Sequence, residues 1–371
     1  MIVEGSMLES MGPTLDAAFA ALADRTLVHD LPRAALIEHA ASFPSADLHK
    51  LFFEWEWAEG SLRPAGYGHG FRPRALARLL AQDSAFAQTP RGEQILLALR
   101  QDPFDPSGER SRSSQDGEPE WIEYDLDARG VAELPGVFFA LPSELRRIQT
   151  PEDARALLDA LELRLPEFST REDRLGQDDS NDRSLRKVVA ELAQAELALA
   201  NPLRVYRLGR SENRAPGWLR LLIGGLRPTS LDDLAPRLLG DYDSTIAGRI
   251  AAATPELARP RITAAIDVLE GRLAAIDLEG PYFFGLRDAA TRAARTSQFC
   301  ASLAHAGLLD DAAARAIAAI GLVEVELPDF DRRAVLVVDH FKFGVAGRRL
   351  GRIKLYAELV IWPRDRPGPL R

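Results

Sequence analysis

Hydrophobic and polar residues alternate along several short segments of this chain, most regularly in GRIKLYAELVIW at 351–362. Every second position of that segment is apolar, and the positions between them include Arg352, Lys354, Tyr356 and Glu358. Successive side chains of a β-strand point to opposite faces of the sheet, so this period of two predicts a strand with one apolar face and one charged face. A charged face of this kind is compatible with wetting by solvent and with the lining of a binding cavity.

Similar segments occur in pairs separated by turn residues, and helical patterns lie between the pairs. Four hairpins are predicted in this way: WIEYDLD (121–127) with GVFFAL (136–141), LRVYRLG (203–209) with WLRLLIGG (218–225), ITAAIDV (262–268) with LAAIDLE (273–279), and AVLVVDHFKFGV (334–345) with GRIKLYAELVIW (351–362). Successive hairpins build an antiparallel sheet, and amphipathic helices must cover one of its faces. The predicted fold class is therefore α+β, with an antiparallel sheet or barrel of successive hairpins separated by helices.

The first part of the chain has a different pattern. Residues 12–101 are predicted to be helical, because PRALARLLAQ (73–82) and GEQILLALRQ (92–101) repeat leucine and alanine at helical spacing. The segment at 102–120 is rich in proline, glycine, serine and charge, which is typical of a mobile linker or loop. The predicted organisation is a helical segment at 1–101, a linker or loop at 102–120, and a hairpin–helix domain at 121–371.

The charged parity of the predicted sheet is the candidate functional face. Its cations and phenols are Arg204, Tyr206, Lys342, Arg352, Lys354 and Tyr356, and its carboxylates are Glu123, Asp125, Asp267, Asp277, Glu279 and Glu358. His340 is an acid–base candidate on the same parity. We expect no direct contact between His340 and Asp339, because neighbouring positions of a regular strand face opposite ways.

Composition excludes several classes of function. The chain has 371 residues and a net charge of −9, which argues against a general nucleic-acid binder. The only cysteine, Cys300, excludes an intrachain disulfide, and the six histidines show no zinc-binding spacing. No apolar run reaches membrane-spanning length, and the start MIVEGSMLES lacks signal-peptide features, so a cytoplasmic protein is expected.

Antiparallel hairpins that alternate with helices, together with a strand such as KLY at 354–356 near the end of the chain, resemble the ABBA-type prenyltransferases. The resemblance covers residues 121–362. It implies a barrel surrounded by helices whose interior holds an allylic diphosphate, and transfer of the prenyl group to an aromatic or peptide acceptor. It implies no metal or other cofactor.

The resemblance also suggests roles for the charged face. The implied substrate-binding residues are Arg204, Tyr206, Lys342, Arg352, Lys354 and Tyr356. Arginine and lysine stabilise a departing diphosphate, and tyrosine shields a carbocation. The candidates for acid–base catalysis on the acceptor are Glu123, Asp267, Glu279 and His340.

A second class of function stays open at this stage. The chain could be a non-catalytic binding or accessory protein that docks a peptide or protein. Its partner surface would then be the aromatic segment LFFEWEW (51–57), through Phe52, Phe53, Trp55 and Trp57. The glycine-rich GYGHGFRPRA (66–75) is expected to be a flexible connector. The two functions differ in whether the charged sheet face is enclosed.

Overall fold

Antiparallel strand pairing runs around the molecule and returns to the strand from which it began. The computed structural model describes residues 12–23, 31–43, 48–58, 60–71, 85–99, 121–127, 130–164, 185–211, 218–227, 262–269, 272–282, 289–320, 322–346 and 349–364. The strands described there are β1 (Leu48–Ala58), β2 (Ser61–Phe71), β3 (Trp121–Asp127), β4 (Gly130–Val131), β5 (Gly136–Ala140), β6 (Arg147–Ile148), β7 (Leu203–Arg210), β8 (Trp218–Leu226), β9 (Ile262–Leu269), β10 (Arg272–Tyr282), β11 (Leu322–Leu327), β12 (Arg332–Ala346) and β13 (Arg349–Pro363).

Ten of these strands close into a barrel, in the order β10-β9-β8-β7-β5-β3-β2-β1-β13-β12 and back to β10.

Strand β12 closes the barrel because it is long enough to serve three neighbours. It pairs with β13 along its length, and its second half pairs with β10, where Lys342 is opposite Glu279. Its first half pairs with β11, which adds a further strand outside the closed ring. Closure leaves the ten strands with two distinct surfaces, an enclosed one and an outer one.

Helices cover the outer surface. They are α1 (Gly12–Ala23), α2 (Arg33–Ala41), α3 (Pro90–Leu99), α4 (Pro151–Arg164), α5 (Leu185–Leu197), α6 (Ala289–His305) and α7 (Asp311–Ile320). The contact is clearest at α6, where the ring of Phe299 lies 4.7 Å from that of Phe341 and 6.2 Å from that of Phe343. Phe341 and Phe343 belong to the apolar parity of β12, so the opposite parity, with His340 and Lys342, faces into the barrel.

Local signals explain where individual elements begin. Helix α4 starts at Pro151 with a capping box, in which the hydroxyl of Thr150 accepts from the Asp153 amide and the Asp153 carboxylate accepts from the Thr150 amide at 2.9 Å. Leu157 and Leu161 of this helix are buried. The predicted helix is confirmed at this position, as are all eight predicted strands and the α+β barrel class.

The helical prediction for residues 12–101 is wrong at 48–58 and 61–71. These residues form β1 and β2, and β1 pairs with β2 on one side and with β13 on the other. GYGHGF at 66–71 is therefore part of a barrel strand and not a connector. The helix expected at 73–82 and the linker expected at 102–120 lie outside the described residues, so the division of the chain into 1–101, 102–120 and 121–371 stays a prediction.

The predicted partner surface is not supported by the structure. Phe53 and Trp55 are completely buried on the outer parity of β1, beneath the helical layer. Trp57 is packed against the same core, and Phe52 has the opposite parity and lines a pocket. Side chains buried within the chain's own core cannot form a docking surface for another protein.

Candidate active site in the barrel interior

The enclosed surface of the barrel carries the charged parity predicted from the sequence. Lys342, Lys354 and Tyr356 are each 5% exposed, which decides between a solvated face and an enclosed one. At one end the lining becomes apolar, with a small cluster of Val335, Val337, Val360 and Trp362. Charges that are removed from water in this way must be paired or used.

Arg220 on β8 is the centre of the first buried charge cluster. Its guanidinium donates to both oxygens of Asp267, at 2.6 and 2.8 Å, and to Asp277 at 3.2 Å. Arg352 on β13 donates to Asp277 at 3.3 Å from the other side. Burial alone acts to raise the pKa of Asp277, but Arg220, Arg352 and the two interior lysines hold that pKa below its usual value. Asp277 is therefore a buried carboxylate that stays ionised.

Glu54 on β1 organises the second cluster. Its carboxylate accepts from the Lys354 ammonium at 2.5 Å and from the Tyr356 hydroxyl. These contacts follow from the sheet register, since Glu54 is directly opposite Tyr356 in the β1–β13 pair. Burial, and then the negative charge of Glu54, raises the pKa of Tyr356 well above its usual value, so the phenol stays neutral.

Lys342 on β12 lies next to the second cluster. Its ammonium lies 2.6 Å from Glu279 and 4.6 Å from the centroid of the Tyr356 ring. Lys342 and Lys354 are directly opposite each other in the β12–β13 pair. Two lysines thus share one patch of the enclosed wall, each with its own carboxylate.

His340 lies beside this patch, and its contacts differ from expectation. Its Nδ1 is 2.7 Å from the carboxylate of Asp339, the neighbour that regular alternation would place on the opposite face. The register of the β12–β13 pair shifts between Val338 and His340, so Asp339 is the extra residue of a bulge. A bulge suspends the period of two, and this is why the prediction that the pair makes no contact is wrong.

A small pocket opens between the second cluster and β2. Its lining includes Phe52, Glu54, Glu123, Asp125 and Tyr356. Glycines 66 and 68 of β2 lie on the same wall. A Cβ atom at position 68 would stand 2.8 Å from the carbonyl oxygen of residue 122, so glycine there permits close approach of β3.

Most of the residues predicted for the site are brought together on the enclosed wall. Glu123, Asp267, Glu279, His340, Lys342, Arg352, Lys354 and Tyr356 all belong to it. Arg204 and Tyr206 on β7 do not join its buried clusters, because both are exposed, Tyr206 with its ring over Gly224.

Sequence reasoning missed Glu54 and Arg220. Glu54 alternates with tryptophan in EWEW, which is a readable strand signal. Arg220 is a lone charge in the apolar segment WLRLLIGG, where its burial could have been expected only together with a carboxylate partner.

The cations of the enclosed wall are compensated by negative charge within the chain. Each of four described cations there contacts a carboxylate of the chain itself. The pairs are Arg220 with Asp267, Arg352 with Asp277, Lys342 with Glu279, and Lys354 with Glu54.

Two features of the described part of the chain bear on other classes of function. No group of three or more histidine, cysteine, aspartate or glutamate side chains there could hold a metal ion. None of the helices in these ranges combines the length and apolarity required to cross a bilayer.

Comparison with known proteins places this geometry among solved folds. No protein-family model matches the sequence, and no curated protein matches it. A solved structure of a 6-dimethylallyl tryptophan synthase matches with a TM-score of 0.53 and 15% identity, over 95% of this chain and 96% of that chain. The fold is that of the ABBA-type prenyltransferases. The resemblance stated from the sequence is therefore confirmed for the ABBA barrel as an architecture.

Two further ABBA structures align over similar lengths. The 6-dimethylallyltryptophan synthase from Micromonospora olivasterospora, solved with DMASPP and Trp, gives a TM-score of 0.48 at 15% identity, over 94% of this chain and 96% of that one. NotF, solved with brevianamide F and DMSPP, gives 0.45 at 11% identity, over 93% and 92%. Identities this low concern the fold alone, so the chemistry of this chain must be argued from its own residues.

Proposed function

We propose that this protein transfers an allylic group from a diphosphate donor to an aromatic or peptide acceptor inside its barrel. The observation that carries the proposal is the enclosed pair of lysines, Lys342 and Lys354, which are opposite each other and almost fully buried. The ABBA architecture shared with a dimethylallyl tryptophan synthase supports the same reaction class.

The two lysines and Arg352 would hold the diphosphate. Breaking the allylic C–O bond leaves negative charge on the diphosphate oxygens, and fixed cations in a water-poor space stabilise that charge. Each lysine ammonium can donate three hydrogen bonds, so it can contact a phosphate oxygen while it keeps its carboxylate. Glu279 and Asp267 enter the proposal as the carboxylates that hold Lys342 and Arg220 in place.

Tyr356 would shield the allylic cation. The Lys342 ammonium already lies 4.6 Å from the centroid of its ring, so this ring is in contact with positive charge. A neutral phenol keeps an electron-rich face without competing as a nucleophilic phenolate, and the raised pKa of Tyr356 keeps it in that form.

The acceptor would enter the pocket beside Phe52 and Tyr356. Aromatic walls suit a planar acceptor, and Glu123 on the same wall can accept a hydrogen bond from an acceptor N–H or O–H group. Arg204 and Tyr206 are proposed to contact substrate nearer the solvent, because both are exposed.

The alternative, a non-catalytic docking protein, is less well supported. A macromolecular partner needs an accessible surface, whereas the charged face is enclosed by the barrel and the aromatic segment of β1 is largely in the core.

A binding experiment tests the proposal. Dimethylallyl thiodiphosphate, a slowly reacting donor analogue, is titrated by calorimetry into the parent protein and into Lys354→Met, which keeps the length of the side chain and removes its charge. Loss of one charge-assisted contact costs about 1.5–3 kcal/mol, so affinity should fall roughly tenfold or more.

Leu355→Ala is the matched control, because Leu355 is the next residue of β13 and belongs to the outer core. It should lose about 2–5 kcal/mol of unfolding free energy through a cavity and retain donor binding while folded. Absence of analogue binding by the parent, or equal affinity of Lys354→Met, refutes the proposed donor site. Prenyl transfer itself is followed with dimethylallyl diphosphate and a panel of indoles and tryptophan-containing dipeptides.

A further inference from the structure

The Asp339–His340 pair has a geometry that regular strand alternation cannot produce. In the β12–β13 pair Val338 is opposite Ala357 and His340 is opposite Tyr356, which leaves Asp339 as the inserted residue. The bulge turns the Asp339 carboxylate to the Nδ1 atom of its neighbour, at 2.7 Å. Bulges that redirect a side chain in this way are frequent beside active sites.

The contact fixes the chemical form of the imidazole. A carboxylate oxygen can only accept a hydrogen bond, so Nδ1 of His340 must carry the proton. A neutral imidazole has one ring proton, and Nε2 is then the unprotonated, basic nitrogen. Asp339 therefore selects the tautomer in which Nε2 can accept a proton.

The imidazole is also held in one orientation. Its ring is parallel to that of Tyr356, with an interplanar angle of 5° and a centroid separation of 4.3 Å. Tyr356 lines the interior pocket, and Lys342 lies against the same phenol ring. His340 is thus positioned by contacts at Nδ1 and at its ring face, next to the residue proposed to shield the allylic cation.

We propose that Asp339 and His340 act as a proton-acceptor dyad, with His340 as the catalytic base and Asp339 as its positioning residue. The proposal rests on the proposed function. In the step concerned, the allylic C–O bond breaks and the electron pair leaves with the diphosphate. An aromatic carbon of the acceptor then forms the new C–C bond, and the ring carbon gives up its proton to Nε2 of His340. The C–H electron pair restores aromaticity, and Asp339 stabilises the resulting imidazolium.

The ionisable surroundings of the dyad come from several strands. Those on the enclosed wall are Asp339 and Lys342 on β12, Lys354, Tyr356 and Glu358 on β13, Glu279 on β10 and Glu54 on β1. Lys342 and Lys354 are already paired with Glu279 and Glu54. The positive charge that His340 gains on protonation is therefore left to Asp339, its own carboxylate partner.

The first test is independent of turnover. Nitrogen-15 NMR of the full chain reports which imidazole nitrogen carries the proton, and the His340 signals are assigned from their loss in His340→Gln. We expect the Nδ1-protonated form in the parent and a shift toward the Nε2-protonated form in Asp339→Asn. An Nε2-protonated His340 in the parent overturns the dyad, whatever reaction the protein catalyses.

The second test uses kinetics with dimethylallyl diphosphate and tryptophan, or with the best acceptor found in the panel. His340→Gln should lower kcat about 10²–10⁴-fold, the usual contribution of a positioned base, and should abolish the acidic limb of the pH–rate profile. In His340→Gln, loss of the acceptor's ring proton should become rate-limiting. A ring-deuterated acceptor should therefore show a kinetic isotope effect with this variant that is absent with the parent protein. His305 is an exposed residue of α6, and His305→Gln is the control. Its kcat and pH–rate profile should match those of the parent.

The outcomes are distinguishable. A parent that catalyses prenyl transfer while His340→Gln keeps its rate and pH profile overturns the dyad and leaves the proposed function intact. A parent without transfer to any acceptor refutes the proposed function, and the dyad then lacks the reaction that it requires. A slow His340→Gln with no new isotope effect shows a merely structural role and also overturns the dyad.

Discussion

Replacement of Arg220 by methionine is the sharpest test of the buried charge clusters. Arg220 is 1% exposed and makes three charge-assisted hydrogen bonds, two to Asp267 and one to Asp277. Methionine is also a long unbranched side chain, but it carries no charge. Two carboxylates that share one cation would then face each other, with Arg352 as a more distant partner of Asp277 alone.

The magnitude follows from what is left behind. A sum of about 1.5–3 kcal/mol for each of the three hydrogen bonds would overstate the loss of unfolding free energy, because the three bonds act together. Removal of one member of a buried pair costs about 3–5 kcal/mol, since an uncompensated charge stays in the interior. We expect Arg220→Met to lower the unfolding free energy by that amount at neutral pH.

The chain provides a matched control. Arg186 and Asp159 form a pair at 2.9 Å that resembles the Arg220–Asp267 contact, but their side chains are 46% and 59% exposed. Arg186→Met should cost only about 0–1 kcal/mol. Urea unfolding of both variants, followed by circular dichroism, measures the difference. Equal losses, or a loss below about 1 kcal/mol at Arg220, contradict the view that burial makes the interior pairs obligatory.

Three further predictions concern stability. Burial, with repulsion from His69 and Arg91, lowers the pKa of His39 to about 2, and burial lowers that of His69 to about 3. The two histidines take up protons near pH 6.5 in the unfolded chain but not in the folded one, so the unfolding free energy should fall as pH decreases below 6.5. The loss should be roughly 2 kcal/mol per histidine at pH 5. In His69→Gln the urea midpoint should therefore depend less on pH than in the parent. The lowered pKa of Asp277 means that its stabilisation is present above pH 3.8 and is lost as pH falls further, so Asp277→Asn should show a shallower acid-unfolding profile than the parent. Gly68→Ala should lower the unfolding free energy by about 1–3 kcal/mol in calorimetry, because its Cβ would be 2.8 Å from a β3 carbonyl oxygen. A Cβ added at Gly60 would meet no atom within 4 Å apart from the adjoining residues, so Gly60→Ala should show only the backbone cost of its φ of +77°.

Period-two alternation located most of the fold. Apolar and charged residues alternate along eight barrel strands, and this alternation predicts them. The alternation arises because one face of the barrel wall contacts helices and the other faces an enclosed polar space. Strand β2 escaped prediction for a physical reason. Its enclosed face carries Gly66 and Gly68, which leave room for β3, and Pro64 precedes them, so SLRPAGYGHGF has the composition of a turn-rich connector.

The candidate site was predictable as a set of residues but not as a set of contacts. Lys342, Lys354 and Tyr356 followed from parity alone. Their carboxylate partners depend on register, as with Glu54, which is 300 residues away from Lys354 along the chain. The Asp339–His340 contact depends on a one-residue bulge, and no local pattern in VVDHF distinguishes a bulged strand from a regular one.

The pairing of β1 with β13 has a consequence for how the protein is made. Lys354 and Glu54 are separated by 300 residues, and a ribosome that adds about 5–20 residues per second needs roughly 15–60 s to span that distance. Throughout that interval one edge of β1 lacks its final neighbour, a situation that favours pairing with other chains. During that interval Glu54 of β1 has not yet met Lys354, and a charged residue on an unpaired strand protects that strand against aggregation. The ring can therefore close only after β13 has been synthesised, and not when the first hairpins appear.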